Sequence, residues 1–131
     1  MAENIVKNPD DASDAARRRV EVAEALARLP GAGGERFAEV FKRGSLVVEI
    51  YAPRVRDPQQ PHTRDEVYIV VAGRGEFLNG SERHAVAPGD FLFVPAGTVH
   101  RFENFTEDLT VWVIFYGPEG GEAARAGGER V

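Results

Sequence analysis

Three histidines occur in this chain, His62, His84 and His100, and there is no cysteine. His62 stands four positions before Glu66 in PHTRDEVYIVVAG, and Glu66 runs straight into an apolar stretch holding Val67, Ile69, Val70 and Val71. A carboxylate buried in such surroundings is costly unless it is paired, hydrogen-bonded or bound to a metal. Either this end of the strand reaches water, or His62 and Glu66 share a partner. Imidazole and carboxylate together form a ligand set for a divalent transition metal. Two histidines and one carboxylate on one face would leave positions open for substrate or oxygen. His100, after VPAGTV, is the second histidine available for such a set. His84, in SERHAV, reads as a surface residue. The missing cysteines exclude disulfides, thiolate metal sites and cysteine nucleophiles. No Ser–His–Asp set is evident. Gly73 and Gly75 follow a strand, but the third glycine of a dinucleotide loop is out of place, so they read as a strand-to-strand turn.

These residues need elements to hold them. Residues 1–9 read as disordered, and 10–30 as an N-terminal helix, with Asp10, Asp11 or Ser13 as N-cap and Pro30 and Gly31 as the stop. Its apolar stripe, Ala16, Val20, Ala23 and Leu26, is thin, so the helix is expected to lie on something larger. From residue 35 the pattern changes to short strands. FAEVFKR and LVVEIYAP flank a tight turn at Gly44. EVYIVVAG is a strand, GEFLNGSERHAV a hairpin about Asn79-Gly80, and FLFV, HRFE and LTVWVIFY follow. Alternation of polar and apolar residues with frequent turn signals predicts a β-sandwich or barrel over 35–118, and 119–131 read as a flexible tail. By the same alternation Tyr68 shares the face of Glu66, and Phe102 that of His100. Phe91, Phe93, Trp112, Ile114 and Tyr116 are expected in the core or along a cavity.

The chain has 131 residues, enough for one domain with a single core. Its formal net charge is −5, which argues against nucleic acid as a partner. The one basic run, Arg17 to Arg19, reads as a solvated helix face. No stretch approaches the roughly 20 apolar residues of a membrane span. The opening MAENIVKNPDD lacks the apolar centre of a secretory signal, so the protein is expected in the cytoplasm.

His62 through Gly73 resembles the first motif of the cupin superfamily, with histidine, glutamate and closing glycine in step. Gly89 through Asn104, with Pro95, Gly97 and His100 at the marked positions, resembles the second. The resemblance covers roughly residues 43–117. It implies an all-β fold, an antiparallel jelly-roll barrel, with a metal held inside by His62, Glu66 and His100. The first motif normally opens with two histidines one residue apart, preceded by a glycine. Here Gln60 stands in place of the first histidine and Arg54 in place of the glycine. Gln60 is then either a fourth ligand or a neighbour of a three-residue set. A shared cation would account for Glu66; the alternative is a pair with Arg64 or Arg101 at the barrel mouth.

The resemblance implies a divalent transition metal, iron first, with manganese, nickel, zinc and copper open. It also implies a small-molecule substrate and a homodimer built through edge strands, for which FKRGSLVVEIY is the expected pair. An enzyme of dioxygenase-like or isomerase-like type leads, acting on a small enolic or aromatic compound, with Tyr68 and Tyr51 as candidate proton donors. The alternatives are a binding or sensing barrel without catalysis, and a dimer with a vestigial pocket.

Overall fold

The computed structural model describes residues 17–123, and among these it is built almost wholly of antiparallel strands. One short helix, α1 (Val22–Leu26), precedes β1 (Phe37–Arg43), β2 (Leu46–Tyr51), β3 (Asp65–Ala72) and β4 (Gly75–Asn79). Then come β5 (Glu82–Val86), β6 (Phe91–Val94), β7 (His100–Glu103) and β8 (Thr110–Tyr116). One sheet has the order β1-β2-β8-β3-β6, the other β5-β4-β7. The non-sequential neighbours, β2 beside β8 and β4 beside β7, give the jelly-roll-like arrangement the sequence predicts.

Period-two alternation decides what each strand buries. Glu66, Tyr68 and Val70 of β3 are buried, as are Val111 and Val113 of β8. They meet Phe77, Val86 and Phe102 of the other sheet in one core that also takes in Leu109. The rings of Tyr68, Phe77 and Phe102 pack at centroid distances of 5.4, 5.3 and 4.6 Å. Burying side chains of this size stabilises the fold by about 1.5–3 kcal/mol each. The opposite faces of β1 and β2 carry a second, smaller cluster, in which Val40 and Ile50 bury Ala25 of α1 and Trp112 packs alongside. The turn between β3 and β4 needs glycine. Gly73 has φ +86°, and a Cβ there would lie 2.5 Å from the Leu109 Cα.

The structure departs from the sequence reading in three places. Residues 17–21 are not helical, and the cap is Glu21, whose backbone N–H donates to Glu24 Oε1 at 2.8 Å. Asp10, Asp11 and Ser13, and all of 1–16, lie outside the described residues. A thin stripe supplies too little burial to extend the helix. Only Ala25 of α1 is buried, and Arg18 and Arg19 are exposed on irregular chain. Phe91 and Phe93 are exposed, at 62% and 40%, because β6 is an edge strand whose inward positions are Leu92 and Val94. Trp112 packs on a core as expected, though on the smaller cluster beside α1, and Val111, Val113 and Phe115 are the residues of β8 that face the main core. Finally, the start of the expected tail is tied down: Gly120 N donates to Thr63 O at 2.6 Å and Glu122 N to Asp65 Oδ2 at 2.9 Å. Residues 124–131 lie outside the described residues. No helix among the described residues is long and apolar enough to cross a membrane.

Candidate metal centre

His62, Glu66 and His100 converge. Their ligand atoms all lie within 4.8 Å of one another. Glu66 Oε1 is 3.3 Å from His100 Nε2 and 3.8 Å from His62 Nε2. Glu66 and His100 are placed by strands, on β3 and at the head of β7. His62 is not: β3 begins only at Asp65, so the irregular segment 52–64 delivers it. Gly97 N donates to His62 O at 2.7 Å, which ties this segment to the turn of the second motif. The His62 ring stands edge-on to Phe115 at 4.9 Å. Asp65 braces the same region from beneath, accepting from Ala96 N at 3.0 Å.

Both Glu66 carboxylate oxygens and His100 Nε2 are buried without a hydrogen-bond partner. Buried polar atoms are rarely left so, and each such case needs a cause. His100 Nδ1 lies 2.8 Å from the Thr98 carbonyl, which can only accept, so Nδ1 carries the proton. In the neutral ring that leaves the Nε2 lone pair aimed at Glu66, the arrangement of a metal-binding histidine held by a backbone carbonyl. Burial pushes the His100 pKa down, but the Glu66 carboxylate and the Thr98 carbonyl push it up, and the net direction is upward. Protons therefore compete with a cation for this cluster. Two imidazoles and one carboxylate converging, with the Glu66 and His100 atoms unpartnered, fit a divalent transition metal. Neither arginine proposed for Glu66 reaches it. Arg64 Nε donates to Gly117 O, and Arg101 Nε to Glu103 Oε2.

A cavity of about 680 Å³ opens onto His62 and Glu66 between walls formed by Val113 and Phe115. Gln60 lines it and is exposed; it sits on irregular chain, so the strand alternation that would align it with His62 does not apply. Its neighbour Gln59, which the sequence did not single out, makes the interior contacts. Tyr68 OH donates to Gln59 Oε1 at 2.6 Å, and Gln59 Nε2 donates to Asp57 Oδ2 at 2.8 Å. Tyr51 OH donates to Asp57 Oδ1. Burial, and then the charge of Glu66, hold the Tyr68 pKa well above the ordinary tyrosine value. Burial, and then the charge of Asp57, raise that of Tyr51. Both hydroxyl protons are thus committed to Gln59 and Asp57. His84 is exposed beside Glu82, as the hairpin reading predicts.

Glu49 is the carboxylate that sequence reasoning missed. It lines the cavity from β2, on the face of Tyr51. Burial, then the charges of Glu66 and Glu39, push its pKa from 4.5 up to about 7. The unfolded chain releases this proton near 4.5, while the folded protein holds it to about 7. Over that window the unfolded state binds fewer protons, so this group makes stability fall as pH rises. In the metal-free protein we expect Glu49→Gln to flatten the loss between those pH values, with its largest gain above the window. Urea midpoints at pH 5 and pH 8 check this; an equal shift at both would refute it.

An antiparallel barrel with two histidines and a glutamate gathered inside is the arrangement that the two sequence motifs imply. The chain belongs to the cupin family: the Cupin domain model matches residues 47–116. Cupins commonly bind divalent metals. An uncharacterized protein of Streptomyces coelicolor is 40% identical over 85 residues, which is 63% of this chain and 81% of that protein. Acireductone dioxygenase of Pseudomonas aeruginosa is 34% identical over 95 residues, 60% of this chain and 52% of the enzyme. Dimethylsulfoniopropionate lyase DddQ of Ruegeria pomeroyi is 31% identical over 61 residues, 46% of this chain and 30% of the enzyme. The chain thus spans about half or less of the length of these two enzymes. Among solved structures, a conserved Klebsiella pneumoniae protein with a double-stranded β-helix domain superposes with a TM-score of 0.63 at 19% identity, covering 76% of this chain and 90% of that one. A Cupin 2 conserved barrel protein of Salinispora arenicola gives 0.59 at 19%, covering 77% and 88%. These two likenesses show the fold.

Proposed function

We propose that this cupin is a metal-dependent enzyme acting on a small organic molecule by a dioxygenase-like or isomerase-like reaction, with His62, Glu66 and His100 as ligands. The observation that carries the reading is the set of buried, unpartnered ligand atoms on Glu66 and His100, with the His62 nitrogen beside them. A divalent metal bound there, iron first, would supply Lewis acidity or oxygen activation. Gln60 lines the same cavity and offers an amide oxygen as a further donor. Val113 and Phe115 give the cavity an apolar wall beside His62 and Glu66 for the uncharged part of a substrate. Glu49 is the chain's own group for holding or moving a proton at its carboxylate. The acireductone dioxygenase likeness supports an oxygenase within the range of cupin chemistries.

The test is oxygen uptake by iron-reconstituted protein against a panel of enediols and catechols, with product formation followed by NMR. We expect uptake with at least one compound, reduced by about 100-fold or more in Glu66→Gln, since even partners of metal ligands contribute up to that much. No uptake and no product with iron, manganese or nickel would leave a binding barrel instead.

A further inference from the structure

Resting on that metal-dependent reading, we propose that the substrate is a small organic anion, a carboxylate or phosphate. Its charged end is held at the cavity mouth by Arg36, Arg54 and Arg56, and its uncharged, reacting end faces His62 and Glu66. All three arginines line the cavity that opens onto the metal centre. None of them makes an ion pair with an acidic side chain among the described residues. Of the other described arginines, Arg83 pairs with Glu76 and Glu103, Arg101 with Glu103, and Arg19 with Glu21, whereas Arg18, Arg43, Arg64 and Arg74 make no ion pair with an acidic side chain among the described residues. What sets Arg36, Arg54 and Arg56 apart, in a protein of net charge −5, is that all three line the cavity that also holds His62 and Glu66.

The local structure concentrates this charge. Arg54 and Arg56 bracket Val55, which has φ +69° and is 97% exposed, and Arg56 N closes on Arg54 O at 2.6 Å. Arg36 is anchored through Nε to the Ala52 carbonyl at 2.9 Å, which leaves its terminal nitrogens as donors. Burial first, and the nearby charge of Arg54 second, lower the Arg36 pKa, so the two cations are close enough to repel. A planar guanidinium with paired donors matches a carboxylate or phosphate. Glu35 is also at the mouth, with its carboxylate occupied by Gly33 N at 3.0 Å. The other titratable groups lining the cavity are Glu49, Tyr51, Glu66 and His62. The cationic mouth offers paired donors to the charged end of an anion, and Val113 and Phe115 line the cavity for its uncharged end. The volume of about 680 Å³ suits a small molecule, within the usual range for ligand cavities.

The experiment uses three probes that share a benzene ring: benzoate, phenyl phosphate and uncharged benzyl alcohol. Binding to the full chain is measured by calorimetry, zinc-loaded and metal-free, for the wild type and R54Q/R56Q. Both replaced residues are exposed, and circular dichroism verifies the fold. We expect at least one anion to bind about tenfold or more tightly than benzyl alcohol. That preference should persist without metal and fall to near parity in R54Q/R56Q. The tighter anion then names the class, carboxylate or phosphate. Equal affinity for anion and alcohol, a preference that survives in R54Q/R56Q, or no measurable binding of either anion overturns the inference. A protein that takes up no zinc yet keeps the arginine-dependent preference sinks the metal-dependent reading alone.

Discussion

Saturating the metal-free protein with a divalent transition metal raises its Tm by on the order of 10 °C, and His62→Ala/His100→Ala abolishes the rise. The size follows from mass action. A ligand at a hundred times its Kd stabilises the folded state by about 2.7 kcal/mol. For a domain near this size each kcal/mol moves Tm by about 4–8 °C. The structural reason is local. Without a cation, Glu66 keeps two buried oxygens and His100 one buried nitrogen with no hydrogen-bond partner. An unsatisfied buried group costs about 1–3 kcal/mol, and more if charged. Metal binding removes that cost at three atoms together. Replacing both histidines removes two donors at once, so retained metal should fall by at least about 100-fold, the most that even outer partners of a metal site contribute. Calorimetric scans with and without chelator, beside elemental analysis of both proteins, measure both effects. An equal Tm rise in the double variant would place the metal elsewhere and remove the basis of the proposed activity.

Asp57→Ala lowers stability by about 3–5 kcal/mol, far more than its distance from the metal centre would suggest. Asp57 is 7% exposed and lies in the irregular segment between β2 and β3. Its Oδ1 accepts from Tyr51 OH, and its Oδ2 accepts from Gln59 Nε2 and from the backbone N of Phe102, both at 2.8 Å. Alanine would leave these donors unsatisfied, each at about 1–3 kcal/mol. Tyr51→Phe removes one donor and no acceptor, and should cost only about 1 kcal/mol. The damage also reaches the site, because the same segment carries His62 and Gln59 positions the hydroxyl of Tyr68. Urea unfolding of both variants separates the cases. An Asp57→Ala protein within 1 kcal/mol of wild type would show that the network adds little.

Much of this site was legible in the sequence because its chemistry is scarce there. With three histidines and no cysteine, few ligand sets were available, and His62, Glu66 and His100 are the group the structure brings together. The apolar run after Glu66 raised the question of its partner, and the resemblance to the cupin motifs implied that it points into the barrel. Glu49 carried a similar signal that went unread. In LVVEIY it shares the face of Tyr51 by alternation, but no nearby histidine marks it as part of a site. The glutamine at the motif's histidine position drew attention to Gln60, whereas Gln59 makes the interior hydrogen bonds. Which of two adjacent residues turns inward cannot be read by alternation once the backbone leaves the strand.

The sequence by itself determined the strand pattern, the hairpin at Asn79-Gly80, the family motifs and the ligand types. Each of these rests on local periodicity, turn chemistry or residue identity. Only the tertiary structure decided the rest. The register of β2 against β8 turned Glu49 toward the cavity, and burial beside Glu66 raised its pKa. The packing of segment 52–64 against β7 made Asp57 a buried clamp, bonded to Phe102 forty-five positions away. The same segment brought Arg54 and Arg56 to one mouth with Arg36. Among the described residues the expected helix keeps only Val22–Leu26, of which only Ala25 is buried. A charge takes its energy from neighbours in space, and those neighbours here come from strands far apart in the chain. That is why the ligands could be listed from the sequence while their electrostatic surroundings could not.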